Sequence, residues 1–270
     1  MRTAMAIALC GLCCSARAQP EVKADTIRAV QPWAPHAEYT FPQLEIPDRS
    51  VQTARIQRDL ALRLLDIDLD TVAQGHLFDG VWGDPLGEWM PRLNSITWDV
   101  RTPMPEVVEV EFSAEGCGAY CEGFTSYLQY DLRDGAYIGY DSLFTPSGRV
   151  ILADTLRAMW VKQVSAFLAQ LNIEHAALKS QVRSDTLAVA EELQMFQAQV
   201  ELYQRCLEER AGYGPYVMDL SIEPANLRFH MDRCANHVEQ ALDELDPLSI
   251  ILPMEMVVPL MRPERQALFR

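Results

Sequence analysis

Val107 to Tyr140 reads VVEVEFSAEGCGAYCEGFTSYLQYDLRDGAYIGY, and this stretch decides the fold. In its first third Val108, Val110 and Phe112 alternate with Glu109, Glu111 and Ser113, the period of two expected of a strand with one apolar and one solvated face. A β-rich run from Phe124 to Leu132 then meets Asp134-Gly135 and resumes from Ala136 to Tyr140. Asp-Gly between such runs signals a hairpin turn whose two central residues take positive φ. The spacing therefore predicts an antiparallel hairpin over 124–140, beside strands at 93–100 and 107–115.

Outward from this stretch the period becomes helical. Val51, Ala54, Ile56, Leu60, Leu64 and Leu65 share a stripe, so a helix started by Asp48 or Ser50 is expected over 51–65. Leu152, Leu156, Met159, Trp160, Val164, Phe167 and Leu171 predict a long second helix. A third, carrying Leu187, Leu193, Phe196, Val200, Tyr203 and Leu207, is stopped by Gly212 and Pro215. Strands follow at 216–223 and 227–231, then a short helix at 238–245 and a strand at 248–252. Segregated runs rather than strict strand–helix alternation indicate an α+β fold. Its expected form is an antiparallel sheet with an N-terminal helix and a long helical pair, residues 150–211, inserted between strand groups. Residues 40–270 read as one domain, preceded by an extended lead-in at 19–39 that holds Pro20, Pro32 and Pro35.

Residues 1–18 read as an address. Arg2 precedes an apolar run from Ala4 to Cys14, and Ala16-Arg17-Ala18 forms an A-x-A cleavage site. A periplasmic or secreted location after cleavage near Ala18 is expected, without a membrane span, because that run is far short of the roughly 20 apolar residues a span needs. The chain has 23 Lys+Arg and 38 Asp+Glu, a charge of −15; loss of Arg2 and Arg17 leaves 21 against 38, or −17. Such a balance argues against nucleic acid, which needs a basic footprint.

Cleavage also reduces seven cysteines to Cys117, Cys121, Cys206 and Cys234. An even number in an oxidising compartment favours disulfides, and four cysteines allow three connectivities. The sequence-local pairing, Cys117–Cys121 with Cys206–Cys234, is preferred. The rival is a zinc site of Cys117, Cys121, Cys234 and His237, which would strand Cys206 as a free thiol. A five-residue disulfide ring would either staple a turn that fixes strand geometry or hold Tyr120, Glu115 and Glu122 on a rigid loop, suited to partner binding because little entropy is lost on contact.

No catalytic signature emerges. Asp66, Asp68 and Asp70 resemble the start of a calcium loop but lack its later glycine and closing Glu. His237-x-Glu239 lacks the Cys pair of a zinc deaminase, and no metalloprotease, serine-hydrolase or phosphate-loop pattern occurs. No catalytic residue, cofactor or metal is expected.

Tyr130-Asp-Leu-Arg-Asp-Gly135 followed by Asp141-Ser-Leu-Phe-Thr145 resembles the signature of an extracytoplasmic domain of unknown function. That domain is shared by lysozyme-responsive anti-sigma factors and some peptidoglycan deacetylases. The likeness takes in the helix at 51–65 and the strands at 216–231, covering about residues 40–262. It implies an α+β fold and, in one branch, direct binding of lysozyme. The chain is expected to depart from that branch, since no sigma-binding segment, transmembrane helix or deacetylase domain is read in these residues. Where relatives carry a Gly-Gly-Ala-His type loop it has Gly116-Cys-Gly-Ala-Tyr-Cys121, so no role of that histidine carries over. The expectation is an exported, non-catalytic envelope protein that binds a protein, such as a lysozyme, or a cell-wall ligand. The alternatives are a cell-wall hydrolase using carboxylate and histidine acid–base chemistry, with His230 and His237 converging in a pocket, and a purely structural envelope protein.

Overall fold

A computed structural model describes residues 21–31, 34–72, 76–79, 81, 93–117, 121–181, 186–210, 216–236, 238–245 and 247–269. In chain order its first half comprises β1 (Lys23–Gln31), β2 (Ala34–Glu45), α1 (Ser50–Leu65), β3 (Leu93–Met104), β4 (Val107–Cys117), β5 (Cys121–Asp131) and β6 (Ala136–Tyr137). The second half comprises α2 (Tyr140–Leu143), α3 (Pro146–Gln181), α4 (Thr186–Arg210), β7 (Val217–Ile222), β8 (Asn226–Met231), β9 (Ser249–Pro253), α5 (Met254–Val257) and α6 (Pro263–Gln266). The strands form three antiparallel sheets, β1-β2, β3-β4-β5-β6 and β7-β8-β9. The fold is α+β, and the helical pair is inserted between strand groups as expected. Among the described residues no helix is long and apolar enough to cross a membrane.

Each large sheet buries one face. Val108, Val110, Phe112 and Tyr130 of the middle sheet join Ile56, Leu60 and Leu65 of α1 and Tyr39 and Phe41 of β2 in one core. Leu227, Phe229, Ile250 and Leu252 of the last sheet join Leu152, Leu156, Trp160 and Val164 of α3 in a second. α3 has 36 residues, about 54 Å at 1.5 Å per residue, and only its first half is needed to cover a sheet. Beyond Leu171 it runs exposed alongside α4, and Ile173 and Met195 face solvent.

The lead-in is extended and also paired: Lys23 to Val30 align with Glu45 to Glu38, so a hairpin precedes α1. Pro42 sits in β2 opposite Thr26, a position that an edge strand tolerates. The Asp-Gly hairpin is present but short, since only Tyr130↔Tyr137 and Asp131↔Ala136 pair. Of its turn residues only Gly135 takes positive φ, 73°, and its N–H donates to the Asp131 carbonyl. The helix expected at 238–245 is a single 3-10 turn at Gln240–Leu242. Asp243 explains the interruption: it is buried and accepts N–H bonds from Cys234 and Ala235 and the Tyr203 hydroxyl at 2.7 Å, which ties the chain down.

Cys206 and Cys234 are disulfide-bonded. That excludes the zinc set that included Cys234. The bond ties α4 to the end of β8 across a sequence separation of 28. Replacing both residues with serine should lower stability by about 3 kcal/mol through loop-closure entropy in the unfolded chain, read as a lower urea midpoint with a steeper slope, because the freed chain exposes more surface on unfolding.

Candidate functional site: a polar cleft between two sheets

The uncovered faces of the two large sheets meet. In the middle sheet the registers Ser95↔Glu115↔Gly123 and Thr97↔Ser113↔Thr125 put small hydroxyl side chains and Glu115 on one face with Tyr127. In the last sheet Arg228, His230 and Ser249 alternate with the core residues Leu227, Phe229 and Ile250. Together these surfaces wall an open cleft of about 1000 Å³, also lined by Phe124, Met218, Asp219, Asp232 and Arg233.

The floor of the cleft is a seam along which β5 and β7 face each other without a backbone–backbone bond. Three polar side chains stand in for the ladder. Asp219 accepts from the N–H groups of Tyr127 at 2.5 Å and Leu220 at 3.0 Å. Glu109 accepts from the Ile222 N–H at 2.8 Å and from Gln129 Nε2 at 2.9 Å, while Gln129 also donates to the Leu220 carbonyl at 2.6 Å. Arg101 completes the group with an ion pair to Glu109 at 2.5 Å.

Glu109 was expected on a solvated face with Glu111 and Ser113, and it is fully buried. The alternation assigned its face correctly, but β7 covers that face at this position. Burial pushes its carboxyl above the ordinary range, opposed by the bonds from Ile222, Arg101 and Gln129. Asp219 is pushed up to about 6 by burial, against its two backbone N–H bonds. His230 is held down to about 4 by burial and by Arg228 and Arg101, so it is neutral near pH 7. Its ring stacks on Tyr127 at 4.2 Å, and its Nε2 lies 3.0 Å from Ser221 Oγ.

These shifts oppose each other. Stability from keeping His230 neutral is present above pH 6.5 and lost as pH falls towards 4. Stability from protonated Asp219 is complete below pH 3.8 and lost as pH rises through 6. In the native protein the two offset each other over pH 4 to 6. Asp219→Asn should unmask the histidine, so that acidification from pH 7 to 4 costs the variant about 2 kcal/mol more than the parent, after allowance for solvent screening. Denaturant unfolding at both pH values measures this.

The residues singled out in the sequence fall unevenly. Glu115 and Glu122 both line the cleft, so the end of the β4–β5 hairpin rims it. Glu115 accepts from Asn94 Nδ2 at 3.0 Å, and Glu122 is ion-paired with Arg233. Cys121 is disulfide-bonded, and its ladder partner is Cys117. The Cys117 side chain, Tyr120 and His237 lie outside the described residues. His230 is in the cleft with Asp219, Asp232, Glu115 and Glu122. Asp70 of the acidic triplet pairs with Arg58 at 2.9 Å, and Asp68 caps the Asp70 N–H. Among the described residues no group of three or more His, Cys, Asp or Glu side chains is placed to hold a metal. Sequence reasoning missed Asp219, Tyr127 and Arg228, because only the meeting of β5 with β7 gives them a common surface.

No family model matches the sequence, and no curated protein does. Solved structures do resemble it. A DUF3298 family protein from Pseudomonas aeruginosa PAO1 is 12% identical over 91% of this chain and 96% of its own, with a TM-score of 0.46. A member of the DUF3298 family from Bacteroides fragilis NCTC 9343 is 12% identical over 93% of this chain and 97% of its own, with a TM-score of 0.50. The structural neighbours are thus proteins of a domain family of unknown function, and the second likeness shows a shared fold.

Proposed function

We propose that the chain is an exported, non-catalytic binding protein of the bacterial envelope, and that the cleft between its two large sheets holds a protein or cell-wall ligand. The observation that carries this reading is the pairing of two polar, uncovered sheet faces around an open volume of about 1000 Å³, within the size range of ligand sites. Export is supported by the leader-like residues 1–18 and by the Cys206–Cys234 disulfide, which suits an oxidising compartment. The resemblance to the sensor domains of lysozyme-responsive anti-sigma factors supports a cationic protein as one ligand class. With 21 basic against 38 acidic residues after cleavage, a charge of −17 would steer such a partner.

The hydrolase reading has one observation in its favour, the gathering of His230 with four carboxylates in one cleft. Against it, His230 is a weak base stacked on Tyr127, and Asp219 is engaged by two backbone N–H groups. Calorimetric titration at low salt with lysozyme and, separately, with solubilised peptidoglycan tests binding. Saturable heat with at least one is expected, without turnover; turnover, or no saturation with either, would overturn the proposal.

A further inference from the structure

The polar cleft contains an open strand edge. In β5 the even-numbered residues bond to β4, as the adjoining bond from the Leu132 N–H to the Glu106 carbonyl shows at 2.8 Å. The odd-numbered ones therefore point their N–H and C=O groups away from β4. Two bonds confirm this direction: the Tyr127 N–H reaches Asp219, and the Gln129 carbonyl takes the Ile138 N–H at 2.7 Å. Among the described residues, strand pairing on that side is confined to Tyr130 and Asp131. Further up, among the described residues, Gly123 and Thr125 have no strand partner on this edge, and both line the cleft. A Cβ built on Gly123 meets nothing within 4 Å, so the sheet face beside this edge is open as well.

Three of the usual protections of a strand edge, lysine, proline and a bulge, are missing from this segment. Cys121-Glu-Gly-Phe-Thr-Ser-Tyr127 has no lysine or proline, and its pairing with β4 runs without a bulge. The other candidate edge of the middle sheet is β3, and it is covered by β2, where Thr40 Oγ1 donates to the Ile96 carbonyl at 3.2 Å.

Charge selects the occupant. The two arginines lining the cleft are each paired with a carboxylate, Arg228 with Glu223 and Arg233 with Glu122. Glu115 and Asp219 are bonded to neutral donors, the Asn94 amide and the N–H groups of Tyr127 and Leu220. Among the described residues, the cleft thus carries carboxylates with no cationic partner beside backbone groups that no strand pairs.

We propose that the cleft takes an extended, cationic polypeptide segment by strand addition to β5, the backbone groups of Gly123 and Thr125 supplying the ladder and Glu115 and Asp219 receiving the positive side chains. Main-chain bonds give affinity in this mode, and alternate side chains give selectivity. The inference rests on the binding role proposed above and narrows it to a protein ligand held by its main chain.

The probe is a nine-residue peptide of alternating lysine and threonine, capped at both ends, titrated at low salt. Saturation should slow hydrogen exchange at the Gly123 and Thr125 amides more than tenfold. Thr125→Pro removes one outward N–H without touching the β4 ladder, and should weaken the peptide at least tenfold. Thr125→Val keeps the N–H and should bind within twofold of the parent. Circular dichroism on both variants guards against misfolding, and exchange on the unaltered protein does not depend on either. No saturable binding, binding without protection at those amides, or equal losses in both variants would each overturn strand addition. If lysozyme or peptidoglycan still binds the cleft in that event, the broader binding role stands and only this mode falls.

Discussion

Replacing Glu109 with alanine should cost about 3–5 kcal/mol of folding stability, because it removes one member of a buried, hydrogen-bonded ion pair and strands the others. Its carboxylate is fully buried and serves three donors: Arg101, Gln129 Nε2 and the Ile222 N–H. Arg101 is 43% exposed and can turn to water, so the loss falls mainly on Gln129 and on the β7 backbone. Unsatisfied buried donors cost about 1–3 kcal/mol each. Glu109→Gln keeps an acceptor and the volume and should cost roughly half as much. Urea unfolding of the two variants checks the order. Equal, small losses would mean that the seam is not held by this carboxylate.

Trp160→Ala should cost a similar amount, about 3–5 kcal/mol. Trp160 is fully buried and belongs to the core that joins α3 to Leu220, Phe229 and Ile250. The substitution leaves a cavity where the helix seats on the sheet. Exposed Ile173, on the same helix beyond that core, gives a contrast: Ile173→Ala should change stability by less than about 0.5 kcal/mol. Comparable effects at the two positions would show that the outer part of the helical pair is also packed.

Much of this architecture could be read from residues alone. The alternation from Val108 to Ser113 fixed a strand and its two faces, the step of three and four through Leu152, Leu156 and Trp160 fixed a helix, and Asp134-Gly135 marked a turn. These signals are local. Glu109 shows the limit: a period of two says which way a side chain points but not what lies there, and its cover at Ile222 is 113 residues away. The cleft depends on contacts of the same kind, since Tyr127 and Asp219 are separated by 92 residues that include the helical pair. The β1–β2 hairpin escaped notice because Pro32, Pro35 and Pro42 break the pattern a strand reading relies on. Glu115 and Glu122 were singled out for their place beside the cysteines, and that placement does put them at the rim.

That the cleft is where the ligand binds can be tested by filling it. Gly123→Trp projects a large side chain into space that is open in the fold, and a β-favouring residue in place of glycine should leave stability within about 1 kcal/mol of the parent. Titration of lysozyme or peptidoglycan, whichever the parent protein binds, into this variant is the direct measurement. A Kd raised at least tenfold with an unchanged Tm is the predicted result, and an unchanged Kd would contradict the cleft as the site.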